Sequence, residues 1–152
     1  ALSFPKDDLF HFLCSFGKWK ECGGKVALVC AETGRRIKYC ELEERILVAA
    51  QHLSALGLQL GDVLSVHLHN CVEYVIAFLA CAALGAIASP SNPAYAGSDL
   101  GHQLSDSGAV LCVSSKRYSK VLEEACKHGS GESTLRKVVY IEDDDCFVHA
   151  TP

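Results

Sequence analysis

"GDVLSVHLHNCVEYVIAFLACAALGAIASPSNPAY", residues Gly61 to Tyr95, contains two short strand-like runs separated by an apolar helix. Val63 to Leu68 is apolar and β-branched and follows directly on Gly-Asp, the pattern of a strand. Asn70 is placed to cap the next segment, and Glu73, three residues on, to complete a capping box. From there to Leu84 the side chains are apolar all round, which describes a helix covered on every side. Gly85 closes it, and Ala86 to Ser89 reads as an inner strand. A strand, a helix and a second strand joined this tightly form the crossover unit of a parallel sheet.

Between Glu73 and Asp99 there is no charged side chain. The apolar part, Tyr74 to Ala88, is nonetheless only fifteen residues long and is broken by Gly85. A spanning helix needs roughly twenty residues, and Ala, Cys and Gly favour the bilayer weakly. The stretch is therefore read as core, and no membrane span is expected.

Working outward, Cys40 to Leu56 carries Leu42, Ile46, Ala49, Ala50, Leu53 and Leu56 on one stripe, with Gly57 placed as a left-handed C-cap. Before it, Lys25–Cys30 and Ile37–Tyr39 flank the turn AETGRR and predict a small hairpin. Further upstream, Leu9, Phe12, Leu13 and Phe16 recur at helical spacing within Lys6–Trp19, ended by Gly23-Gly24. Downstream, Ser98–Ser107 is helical in pattern and stopped by Gly108. VLCVS is a strand, Arg117–His128 an amphipathic helix, GSGES a flexible loop, and KVVYIE a last strand before the acidic turn Asp143–Asp145. The alternation predicts an α/β fold: a mostly parallel sheet with right-handed crossovers and helices on both faces. No linker or repeat divides residues 1–152, so they read as a single α/β unit.

The composition bounds the function. Hydrophobic residues make up 49% and charged ones 21%, which excludes disorder. The net charge is −4, and Arg35, Arg36 and Lys38, or Lys116, Arg117 and Lys120, are groups too small for a nucleic-acid footprint; no nucleic-acid partner is expected. The nine cysteines (14, 22, 30, 40, 71, 81, 112, 126 and 146) include no CxxC pair. Cys81, Cys112 and Cys126 sit in apolar runs, where a thiol behaves as a small hydrophobe. Reduced, mostly buried thiols and an intracellular setting are expected. His67-x-His69-x-Cys71 shares one face of a strand, but no second motif joins it, so no metal is expected. The chain has no methionine and no secretory signal pattern, and it reads as a piece of a longer protein.

Catalytic signatures are absent: no GxGxxG, no GxxxxGK[ST] and no GxSxG. The adjacent carboxylates Asp7-Asp8 and Asp143–Asp145 read as solvated loops. One loop stands out. In Ser89–Ala96 two prolines fix φ, Asn92 suits a turn, and Tyr95 brings a large ring with a polar tip. It is either an architectural turn or a wall of a ligand site.

The order of these motifs carries a resemblance. Tyr39-x-Glu41-Leu42 is followed by Leu56-Gly57-x-x-x-Gly61-Asp62-Val63, then Asn70-x-x-Glu73, then Gly85-Ala86. After these come Pro90-x-Asn92-Pro93-x-Tyr95 and Gln103-Leu104-x-Asp106-Ser107-Gly108-Ala109. From about Lys25 to Glu142 the chain resembles the N-terminal portion of the adenylate-forming acyl-CoA synthetases, in the 4-coumarate–CoA ligase and luciferase branch. His69 stands where that family often has proline and Ala96 where it often has threonine, departures that bear on which acid is used. Gly97-Ser98-Asp99-Leu100 likewise departs from the family's Pro-x-Glu-Leu.

The resemblance implies a parent enzyme that uses ATP and Mg²⁺ to turn a carboxylic acid into an acyl-adenylate, then passes the acyl group to coenzyme A. It implies that the phosphate loop, the adenine and acyl pockets and the catalytic lysine lie further along. No catalytic, cofactor-binding or metal residue is therefore assigned within 1–152, and no cofactor is expected there. The expected partner is the remainder of the parent enzyme, with self-association of the isolated piece through the face left uncovered. The alternative is a non-enzymatic α/β binding or interaction module derived from this subdomain; a flavodoxin-like domain is a third. The expected compartment is cytoplasmic or peroxisomal.

Overall fold

The computed structural model describes residues 9–31, 33–128 and 134–141. The loop predicted at residues 129–133, the acidic turn at 143–145 and Asp7-Asp8 lie outside them.

A helix, α1 (Leu9–Phe16), leads into an antiparallel hairpin of β1 (Val26–Val29) and β2 (Arg36–Lys38). The chain then alternates: α2 (Tyr39–Ala55), β3 (Val63–His67), α3 (Val72–Ala83), β4 (Ile87–Pro90), α4 (Gly97–Ser107), β5 (Ala109–Ser115), α5 (Ser119–His128) and β6 (Lys137–Ile141). A single 3₁₀ turn, Lys116–Tyr118, separates β5 from α5, in the span read from sequence as the start of one helix. The last four strands form a parallel sheet in the order β4-β3-β5-β6. The expected fold class and hairpin are both present.

α2 forms where its stripe requires. Leu42, Ile46, Ala49, Ala50 and Leu53 are buried, and Glu41 accepts a hydrogen bond from the Lys38 N–H at 3.3 Å, satisfying one group of the open first turn. Gly57 takes φ +96°, the left-handed conformation that stops the helix without a Cβ clash. Gly108 does the same for α4 at φ +65°.

The sheet separates two cores. On one side α1, α2 and α3 bury Phe10, Ile46, Leu53 and Ile76 against Leu64, Val66, Leu111, Val113 and Val139. On the other, α4 and α5 bury Leu100, Leu104, Leu122 and Ala125 against Ala109 and Cys112. α4 and α5 pack closely enough that a Cβ on Gly101 would lie 2.7 Å from the Ala125 carbonyl oxygen.

Four readings of the sequence are corrected. β4 is not an inner strand: the crossover through α3 places it outside β3, α4 returns past β3 to β5, and Ile87 is left 55% exposed. An apolar run reports burial of its faces but not its rank in the sheet. The cap of α3 is Cys71, not Asn70, and Glu73 does not fold back; its carboxylate turns inward and pairs with Arg35 of the hairpin. In α1 the buried ring is Phe10, with Leu13 and Cys14 packed beside it, while Phe16 is 78% exposed. The helix is eight residues long, and Phe10 meets Trp19, which in turn meets Tyr39, at ring-centroid distances of 6.2 and 5.5 Å. Finally, the described thiols are not mostly buried: Cys81 and Cys112 are buried as expected, but Cys14, Cys22, Cys30 and Cys71 are half-buried and Cys40 and Cys126 exposed.

No helix of the described residues is long and apolar enough to cross a membrane.

Candidate functional site

In a doubly wound sheet the rim at the C-terminal ends of the strands is where ligands bind, at the point where the winding reverses. Here that point lies between β3 and β5, where His67, the last residue of β3, stands opposite Ser114, the last but one of β5. Both are fully buried, and Ser114 Oγ donates to the His67 carbonyl at 2.9 Å, tying the two strand ends together.

His67 is the centre of a small polar cluster. Its Nδ1 lies 2.8 Å from Ser91 Oγ, and its ring meets Tyr118 edge-on at 4.9 Å. The Ser91 N–H donates to the Val66 carbonyl at 3.1 Å, so both the backbone and the side chain of residue 91 are fastened to β3. Burial lowers the His67 pKa below its ordinary value, which keeps the imidazole neutral. Serine beside histidine is the distance relation of a nucleophile and its base. The rest of that machinery is missing. Among the described residues His67 Nε2 has no hydrogen-bond partner and no carboxylate orients the ring, and Ser91 is 8% exposed. The pair anchors the loop after β4 to the sheet.

That loop is the one the sequence singled out, and its bonds are those of a turn. Asn92 Oδ1 accepts from the Ala94 N–H at 2.9 Å, and the Asn92 carbonyl accepts from the Tyr95 N–H at 3.1 Å. Gln103 of α4 donates to the Pro90 carbonyl at 2.8 Å and to Ser89 Oγ at 3.2 Å. The architectural reading holds for its backbone. The His67–Ser91–Tyr118 cluster was not legible beforehand, since its members stand 24 or more residues apart and no one motif joins them.

Two clefts open nearby. One, of about 610 Å³, lies between Tyr95 and the outer side of α4, lined also by Asp99, His102, Gln103, Ser105 and Asp106. The other, of about 390 Å³, lies between the hairpin and the start of α3; Leu28, Val29, Val72 and Val75 wall it, with Asn70 and Tyr74 as polar members. Neither fits a nucleoside triphosphate. The first presents two carboxylates and no lysine or arginine, and the second carries no charged side chain. Nor does any group of three His, Cys, Asp or Glu among the described residues suit a metal ion, His67, His69 and Cys71 included. Cys71 is a protonated thiol, its pKa pushed up to about 11 mainly by burial. The described residues lining these two clefts thus offer a triphosphate no lysine or arginine, and no reaction step is routed through them.

Comparison with known proteins decides the family. The AMP-binding enzyme profile matches residues 17–151. The chain belongs to the AMP-binding enzyme family. Among curated AMP-binding relatives, it is 31% identical over 117 residues to 4-coumarate–CoA ligase 3 of Arabidopsis thaliana, covering 77% of this chain and 21% of that protein. It is 30% identical over 123 residues to a crotonobetaine/carnitine–CoA ligase of Escherichia coli, covering 79% and 23%. The chain thus spans about a fifth of the length of these relatives. Among solved structures, the N-terminal domain of FACL13 from Mycobacterium tuberculosis superposes with a TM-score of 0.77 at 25% identity, over 91% of this chain and 34% of that one. The anthranilate–CoA ligase AuaEII, solved with anthranoyl-AMP, has the same fold at a TM-score of 0.80 and 19% identity, over 91% of this chain and 26% of that one.

Proposed function

We propose that residues 1–152 are the N-terminal scaffold subdomain of an ATP-dependent acid–CoA ligase and are not catalytic by themselves. One observation supports this most: the family match runs over nearly the whole chain, yet neither cleft is lined by a lysine or arginine that would pair with a triphosphate. The reaction class follows from the relatives. A carboxylate is a poor acyl donor because its oxygen leaves badly; joined to AMP, the same oxygen departs as part of a stabilised phosphate, and the thiol of coenzyme A displaces it. The relatives act on acids as different as 4-coumarate and carnitine, so the resemblance supports a reaction class and names no acid.

In this reading the sheet and its two helical layers present a rigid rim to the remaining polypeptide, which carries the chemistry. Calorimetric titration of residues 1–152 with Mg-ATP shows no binding, and micromolar affinity sinks the proposal. The same gene read past Pro152 encodes a glycine-rich Ser/Thr loop ending in Pro-Lys-Gly, and its full product makes acyl-CoA. Absence of that loop favours a non-enzymatic module instead. Residues 1–152 alone self-associate through exposed apolar side chains such as Leu60, Val29 and Ile87. A strictly monomeric sedimentation profile at high concentration counts against this. The parent is assigned to the cytoplasm or peroxisome, a choice that imaging of a tagged full-length protein decides.

A further inference from the structure

The smaller of the two clefts is walled by two cysteines. Cys30 directly follows β1, Cys71 is the N-cap residue of α3, and both are half-buried. The hairpin register explains how residues so distant in sequence come together. The ladder that pairs Val29 with Arg36 continues by one step: the Cys30 N–H donates to the Arg35 carbonyl at 2.8 Å, so these two residues stand opposite one another. Opposite residues of an antiparallel pair share a face. Arg35 ends on the carboxylate of Glu73, two residues along the chain from Cys71. Cys30 therefore lies on the face of the hairpin that meets the first turn of α3.

The packing agrees. Alternation along β1 puts Leu28 on the same face as Cys30, and Leu28, Cys30 and Cys71 all pack against the larger core, to which Val72 of α3 belongs. Glu73 acts on Cys71 too: its charge adds to the burial that keeps this thiol protonated, with a pKa of about 11. One carboxylate thus has the partner of Cys30 on one hand and Cys71 on the other, and it brackets the space between the two thiols. The other described cysteines are placed differently. Cys81 and Cys112 are buried in separate cores. Cys22 and Cys40 are the rival pair, since a Cβ on Gly23 would lie 3.5 Å from the Cys40 Cβ; Cys40 is exposed, and neither lines the cleft.

We propose that Cys30 and Cys71 are a reversible redox pair, whose disulfide clasps the hairpin to the first turn of α3. The oxidant is a low-molecular-weight disulfide of the glutathione class. The Cys30 thiolate attacks one of its sulfurs, the S–S bond breaks, and one glutathione thiolate leaves. Cys71 gives its proton to solvent and attacks the Cys30 sulfur, displacing the second glutathione. Two cysteine thiols are oxidised, one glutathione disulfide is reduced to two thiols, and excess glutathione reverses both steps. In the reduced protein the hairpin is held by the Arg35–Glu73 ion pair and by apolar contact with the core. The disulfide adds a covalent tie across the cleft, which narrows to bring the two Cβ atoms to about 3.5–4.5 Å.

The test uses the protein folded and at full length. It is incubated with oxidised glutathione, its remaining free thiols are blocked with N-ethylmaleimide, and it is digested without reduction. Mass spectrometry finds the Cys30–Cys71 cross-link as the main linkage, and dithiothreitol removes it. A dominant Cys22–Cys40 cross-link overturns the proposal, and so does glutathione left singly on Cys30 or Cys71. A Cys30–Cys71 link that forms only after unfolding in urea overturns it as well. Stability is the second readout. Oxidation raises the urea midpoint, because the link removes freedom from the unfolded chain, and Cys30→Ser and Cys71→Ser each lose that rise. An equal rise in either serine variant overturns the proposal. The cross-link map needs no variant and decides the matter by itself where a serine protein fails to fold.

Discussion

Replacing Gly101 by alanine sets two effects of known size against each other. In the middle of α4, glycine to alanine ought to stabilise the helix by about 1 kcal/mol, since the alanine backbone loses less freedom on folding. The structure opposes this. The new Cβ would lie 2.7 Å from the Ala125 carbonyl oxygen and 3.4 Å from the Ala125 Cα, and the first distance is far inside ordinary contact. The obstacle is backbone of α5, so no side-chain rotation relieves it, and the two helices must separate. Their shared core is small, and Leu100, Leu122 and Ala125 are at most 1% exposed within it. Forcing such a contact apart costs about 1–3 kcal/mol. The strain outweighs the propensity gain, and we expect a net loss of about 1–2 kcal/mol. Urea denaturation at constant m-value reads this as a lower midpoint. Ser98→Ala, on the exposed side of the same helix, controls for propensity and shifts the midpoint little. A Gly101→Ala protein at least as stable as the parent would refute the close α4–α5 packing.

Glu73→Gln leaves Arg35 facing a neutral partner in a contact where the carboxylate is 8% exposed, and costs about 2 kcal/mol in the same assay; a change below a few tenths removes the ion pair from the fold's supports. His67 titrates below its ordinary 6.5 because it is buried, so as the pH falls through that value the unfolded chain takes up a proton that the folded one refuses. Stability therefore declines below pH 6.5 and levels only under the folded value, and His67→Gln flattens that slope; an unchanged slope shows that other groups cause it. Iodoacetamide at mildly alkaline pH labels the exposed Cys40 and Cys126 and spares Cys81 and Cys112, whose thiols burial raises to about 11 and about 12. Mass spectrometry of the folded protein finding Cys112 modified first contradicts its place in the smaller core.

What the sequence disclosed depended on how local the cause was. The α2 stripe, its glycine stop and the alternation of strands and helices are settled within a few residues, and they appear as read. The rank of β4 is not local. Ile87 and Ala88 are apolar enough for any position, and only the return of α4 past β3 places them at the edge. Glu73 had a nearby use as a capping partner and a distant one as the counter-ion of Arg35, 38 residues away, and the distant one prevails. The His67–Ser91 contact joins a strand end to a loop whose spacing follows no rule, so no motif pointed to it. The family resemblance was legible because it lies in turns and caps, such as Asn92 and Gly108, whose geometry admits few substitutes.

The division of the interior into two cores has a consequence for how the chain tolerates change. A sheet four strands wide is a stiff wall: Leu111 and Val113 face one compartment, Cys112 the other, and among the described residues no buried side chain belongs to both. Volume lost on one side is not refilled from the other, so substitutions in the two compartments should accumulate almost independently. The larger compartment, with three helices and the hairpin clipped on by Arg35, holds most of the apolar mass and sets the cooperative unit. The smaller one, closed by two helices over six buried side chains, is free to open first. Drift can therefore rework the α4–α5 layer while the other face keeps the chain folded.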